Sequence, residues 1–121
     1  MYDIYMSREI KFRAWDKVGK KMISWKDIFN NLGYLYDFFN GVFGNLILLQ
    51  YTGLKDKNRV DIYEGDILTD GKDNTSAVEW RNSLASYMLD FNYGNTELYL
   101  VLLNDVKIIG NIYENPELLS N

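Results

Sequence analysis

The sequence predicts a mainly β protein, β with minor α, from three observations. Ile10-Lys11-Phe12-Arg13-Ala14-Trp15 alternates apolar Ile10, Phe12 and Ala14 with Lys11, Arg13 and Trp15, the period-two signature of a half-buried strand. Five short apolar segments occupy the second half, separated by Asp70-Gly71, Asn92-Tyr93-Gly94-Asn95 and Asn104-Asp105, a spacing that builds a small, strongly bent sheet or barrel. Helical signals are confined to a short stretch after Ser24 and a final turn.

In chain order, Asp16-Lys17-Val18-Gly19 supplies a turn before Lys21-Met22-Ile23, giving an amino-terminal hairpin. Ser24 is placed to cap a short helix, with Asp27 three residues on and Trp25, Ile28, Phe29 and Leu32 at helical spacing. Gly33 is the expected stop. Residues 34–44 carry Tyr34, Tyr36, Phe38, Phe39 and Phe43, punctuated by Gly41 and Gly44, and match no element pattern. Residues 46–51 form a short apolar run of strand length, and residues 52–58 a polar turn region. That turn is the expected joint between two lobes, 1–57 and 58–121. Strands are then expected at 66–68, 77–80, 86–91, 97–103 and 106–113. Residues 98–103 are apolar on both faces, so that strand should be central and covered on both sides. Asn115 is placed to cap a last helical turn, with Pro116 first and Glu117 next.

Composition narrows the chemistry. With 121 residues, 47% of them hydrophobic, the chain can bury enough surface to fold as one domain or as two small lobes sharing a core. It has no cysteine and no histidine, which removes disulfides, thiolate chemistry, the serine and cysteine triads and the common imidazole metal sites. Acid-base chemistry would rest on carboxylates, lysine or tyrosine. The start lacks the basic flank, apolar run and cleavage site of a signal peptide, and Met6-Ser7 offers an alternative start. No apolar run reaches the roughly 18 residues of a membrane span, so the expected location is cytoplasmic, without membrane contact. Residues 1–57 hold nine Lys/Arg against six Asp/Glu, and residues 58–121 four against eleven. The basic cluster is short and the whole chain acidic, so docking against acidic surface on the same or a neighbouring chain is preferred to nucleic-acid contact.

The ordered set Arg8-Glu9-Ile10-Lys11-Phe12-Arg13-Ala14-Trp15-Asp16, Gln50-Tyr51-Thr52-Gly53-Leu54-Lys55-Asp56, Ile62-Tyr63-Glu64-Gly65-Asp66-Ile67, Val78-Glu79-Trp80 and Ile109-Gly110-Asn111-Ile112-Tyr113-Glu114-Asn115-Pro116 closely resembles the YopX family. These are small proteins of phages and prophages of Gram-positive and other bacteria. The resemblance covers nearly the whole chain; the departures are residues 24–45 and those before Met6. It implies fold class and viral origin and carries no biochemical activity, catalytic residue or cofactor. The full fold expectation is a small SH3-like barrel packed with the amino-terminal hairpin and short helix.

Read as residues, the motifs have structural roles available. Gly65 can take positive φ at a turn whose flanking carboxylates accept backbone N–H bonds, and Gly110 permits a bulge or a close approach. The alternative groups Asp61, Glu64 and Asp66 with Asp70 or Asp73 around magnesium or calcium, at a spacing that matches no calcium loop. Tyr34, Tyr36, Phe38 and Phe43, with Lys11, Arg13, Lys17, Lys20 and Lys21, make a candidate binding surface. Exposed, these aromatics could stack bases while the cations hold phosphates; core or interface is the preferred reading, for Trp15 and Trp80 as well. The functional expectation is a non-enzymatic phage or prophage accessory protein that binds a host or phage protein and is a homo-oligomer, with no cofactor or metal. Single-stranded nucleic-acid binding is the second expectation and a carboxylate-metal hydrolase the third.

Overall fold

The computed structural model describes residues 8–40, 44–91, 94–101 and 105–119. The protein is small and mainly β, with helices on one side of an amino-terminal sheet and a curled half-barrel beyond it. The first sheet has strand order β2-β1-β3-β4, from β1 (Phe12–Asp16), β2 (Lys21–Ile23), β3 (Leu46–Lys55) and β4 (Asp61–Tyr63). The half-barrel joins two three-stranded sheets. One is β10-β5-β6, from β5 (Asp66–Thr69), β6 (Thr75–Ala77) and β10 (Lys107–Asn111); the other is β7-β8-β9, from β7 (Glu79–Arg81), β8 (Ser86–Phe91) and β9 (Gly94–Glu97).

The expected hairpin is present. Asp16 makes its turn, with Oδ1 accepting from the N–H groups of Val18 and Gly19 at 3.0 and 2.9 Å. β1 then pairs on its other edge with β3, from Phe12 opposite Gln50 to Asp16 opposite Leu46. Ser24 caps α1 (Trp25–Phe29), its hydroxyl accepting from the Asp27 N–H. Gly33 does not end this helix. Asn31 interrupts the chain first, and its carboxamide accepts from the Tyr34 N–H to start α2 (Leu32–Asn40), so Gly33 lies in the first turn of the next helix.

Three further expectations are corrected. Residues 52–55 continue β3 instead of turning: Gly53 at φ +87° forms a bulge, and the Thr52 hydroxyl donates to Ile62 O at 2.7 Å, so the strand bends and stays paired. The turn begins at Asp56, whose carboxylate accepts from the N–H groups of Asn58, Val60 and Ile108. Residues 77–80 are not one strand: buried Val78 still bonds through its backbone to Gly65 and Asp66 beside β5, and from Glu79 the chain pairs with β8 in the other sheet. Residues 98–101 do not form part of a central strand: α3 (Leu98–Val101) follows β9 directly, and residues 102 and 103 of the expected strand lie outside the described residues. Leu98 and Val101, three apart, both point into the core, and an unbroken apolar run suits a buried helix as well as a buried strand.

Two apolar clusters result. Ala14, Ile23, Ile28 and Leu46 form one under α1 and α2, extended by half-buried Trp25, Tyr34, Leu35, Phe38 and Leu48. Ile62, Leu68, Val78, Leu89, Phe91, Leu98, Val101 and Val106 fill the half-barrel, with Leu54 of β3 packed against them. β3 therefore contributes to both.

Candidate functional site

The segments at 50–56, 62–67 and 109–116 from the ordered set meet in a seam between the two clusters. Asp66, only 2% exposed, accepts from Arg13 at 2.6 Å through Oδ1 and from the Tyr63 N–H at 2.8 Å through Oδ2. The Arg13 guanidinium lies 4.8 Å from the centroid of the Tyr63 ring. Gly65, at φ +85°, donates its N–H to Val78 O and accepts from the Ile112 N–H, and this turn brings Tyr113 into a stack on Trp15 at 5.5 Å. Lys11 donates to Asp61 at 2.7 Å, and Lys55 donates to the other oxygen of the same carboxylate. The buried Asn111 carboxamide closes the last turn, accepting from the Tyr113 and Glu114 N–H groups and donating to the Glu114 carboxylate.

Burial pushes the Asp66 carboxyl above the ordinary carboxylate range, against the opposing pull of Arg13. Burial works in the same sense on Asp61, but the hydrogen bonds from Lys11 and Lys55 outweigh it and hold that carboxyl below the ordinary value. The carboxylates of Asp56, Asp61 and Asp66 are thus occupied by N–H groups and cations of the chain itself. Among the described residues no three acidic side chains converge in a way that would hold a metal ion.

The structure separates the candidate binding residues into three groups. Lys11 and Arg13 are committed to the seam and are not free to contact phosphate. Tyr34 and Phe38 are half-buried: the Tyr34 hydroxyl donates to Asp16 at 3.3 Å, and the Phe38 ring packs against Phe12 and Trp25. Lys17, Lys20, Lys21 and Tyr36 are exposed, Lys17 and Lys20 on the hairpin turn, Lys21 at the start of β2 and Tyr36 on α2. Phe43 lies outside the described residues.

The sequence reading missed an apolar stripe. Leu32, Tyr36 and Phe39 sit at i, i+4 and i+7 on the outer face of α2 and are 85%, 69% and 76% exposed. Phe29 of α1, 48% exposed, adjoins them through Phe38, whose ring touches both Phe29 and Phe39. Helical spacing from Leu32 onward is the signal that could have found it. The single short helix expected after Ser24 hides it, because that helix groups Phe29 and Leu32 with Trp25 and Ile28. With aromatic side chains of roughly 150–250 Å² each, the stripe presents on the order of 500 Å², within the range of the largest patch on a typical monomer.

Known structures share this architecture. Protein EF1440 from Enterococcus faecalis superposes with a TM-score of 0.65 at 24% identity, covering 94% of this chain and 100% of that one. Protein yopX from Bacillus subtilis superposes with a TM-score of 0.54 at 20% identity, covering 91% of this chain and 98% of that one. Identities this low carry the fold alone. No curated protein sequence matches the chain. No helix among the described residues is long and apolar enough to cross a membrane. The family profile described as YopX protein matches residues 25–120, spanning the aromatic stretch as well as the later motifs, and the chain belongs to the YopX family.

Proposed function

We propose that this is a non-enzymatic accessory protein of a phage or prophage, working in the bacterial cytoplasm by binding another macromolecule and associating with copies of itself. The observation that carries the reading is the uncharged stripe Leu32, Tyr36 and Phe39, joined by Phe29. Such a face gains by leaving water, and as an uncharged surface it can meet its own copy across a two-fold axis without like-charge repulsion. The seam supports the non-catalytic part, since its ionisable groups are consumed in holding the two clusters together.

Analytical ultracentrifugation tests the self-association. The wild-type chain is expected to sediment as a dimer or larger at about 100 μM, a concentration suited to an interface of modest area. Leu32→Asp with Phe39→Asp, both exposed and so tolerated by the fold, should return it to a monomer with unchanged circular dichroism. A wild-type monomer at that concentration would refute self-association.

A second reading, single-stranded nucleic-acid binding, keeps one favourable observation: Lys17 and Lys20 on the hairpin turn and Lys21 just after it remain exposed, with Lys21 Nζ 6.0 Å from the Tyr34 ring centroid. It requires binding that weakens steeply with salt and falls on charge reversal of Lys20 and Lys21.

A further inference from the structure

A second surface shares no residue with the α2 stripe. The β3 bulge, the segment preceding β1 and the β7–β8 hairpin enclose a cleft of about 120 Å³, whose lining includes Arg8, Gln50, Gly53, Trp80 and Tyr87. Trp80 is 44% exposed, and its ring is fixed twice: the indole N–H donates to Asn82 at 2.7 Å, and Tyr87 packs edge-on at 5.0 Å. Gly53 leaves one wall bare, with no atom within 4 Å of where a Cβ would stand. The Arg8 guanidinium, the Gln50 carboxamide and the Tyr87 hydroxyl have no hydrogen-bond or ion-pair partner among the described residues. The seam has used the neighbouring cations and carboxylates, yet these three polar groups line one small space beside an immobilised indole.

We propose that this cleft binds a single nucleotide, with the base stacked on Trp80, the base edge read by the Gln50 carboxamide, and the phosphate held by Arg8. A carboxamide offers a donor and an acceptor side by side, the pattern that pairs with a base edge, and an aromatic ring supplies the stacking platform. The volume falls below the ~300–1,000 Å³ of pockets that enclose whole ligands, so one ring system enters and the sugar and phosphate stay at the rim. The cleft has a single unpaired cation and the chain a net charge of −4, which favours a free nucleotide over an extended strand.

The full chain titrated with AMP, GMP, CMP and UMP, followed by amide and indole NMR, tests the assignment. At least one nucleotide is expected to shift the Trp80 indole and Gly53 amide resonances saturably, in the range of about 0.1–1 mM. Trp80→Ala, at an exposed position, should weaken binding about tenfold or more. Arg8→Ala should lower AMP affinity to that of adenosine. No shift of those resonances at about 5 mM nucleotide, or equal affinity in Trp80→Ala, would overturn the proposal. An adenylate dodecamer binding more than about a hundredfold tighter than AMP, with steep salt dependence, would overturn the free-nucleotide assignment.

Discussion

Asp16 shows how one side chain sets a local structure and a pH response together. The Gly19 N–H is the main influence holding its carboxyl below the ordinary range, burial opposes it, and the Val18 N–H and Tyr34 hydroxyl add to the depression. A carboxyl with a lowered folded-state pKa binds fewer protons folded than unfolded. Its contribution is therefore complete above the unfolded value near 4 and is lost as pH falls through the lower folded value. Asp61 acts in the same direction, whereas buried Asp66, with its raised value, favours the folded state most at low pH and loses that contribution as pH rises. Urea midpoints measured from about pH 5 down to pH 2.5 should fall less steeply in Asp16→Asn than in the wild type. Parallel profiles would show that the turn carboxylate does not contribute. Asp16 was legible because its two backbone partners lie within three residues, inside the turn Asp16-Lys17-Val18-Gly19. The Arg13–Asp66 pair spans 53 positions, and local pattern contains nothing about such a partner.

Among the elements, β10 and the 3₁₀ turn Pro116–Leu119 depend on one missing side chain. A Cβ on Gly110 would lie 2.5 Å from Asn115 Oδ1 and 2.9 Å from Leu118 Cδ1. Asn115 cannot rotate away freely, since that oxygen accepts from the Asn111 N–H. Gly110→Ala must therefore push the closing turn off the sheet or distort the bulge at 108–110, an overpacking cost of about 1–3 kcal/mol. Urea unfolding should show a lower midpoint at unchanged slope; a change within about 0.5 kcal/mol would mean the turn is loosely held. Gly110 was readable as a close approach, and β1 by its alternation. Trp15 shares a face of β1 with Lys11 and Arg13, and the burial expected of it is supplied by Tyr113, which covers it from a turn nearly a hundred residues away. α2 and α3 escaped for different reasons. Aromatics and a glycine weaken helix propensity across 32–40, and Leu98 to Val101 has no polar residue to reveal its period.

Across the whole molecule, two apolar clusters behave as one body only through what crosses between them. β3 crosses, with Leu46 in the first cluster and Leu54 against the second. So does the seam, where the basic first part of the chain lays Lys11 and Arg13 on Asp61 and Asp66 of the acidic second part. Arg13→Met keeps an apolar stem beside Tyr63 but leaves the Asp66 carboxylate buried without its cation. Breaking a buried pair from one side costs about 3–5 kcal/mol. Because the loss falls between the clusters and within neither, the variant should also be less cooperative than the wild type. In a Trp80→Phe background the remaining indoles, Trp15 and Trp25, report on the first part, while far-UV circular dichroism reports on the whole. The two probes should give coincident urea transitions with Arg13 present and separated ones with Arg13→Met, the indoles changing first. A single coincident transition at a lower midpoint would show that β3 alone couples the clusters and that the Arg13–Asp66 pair adds stability without joining them.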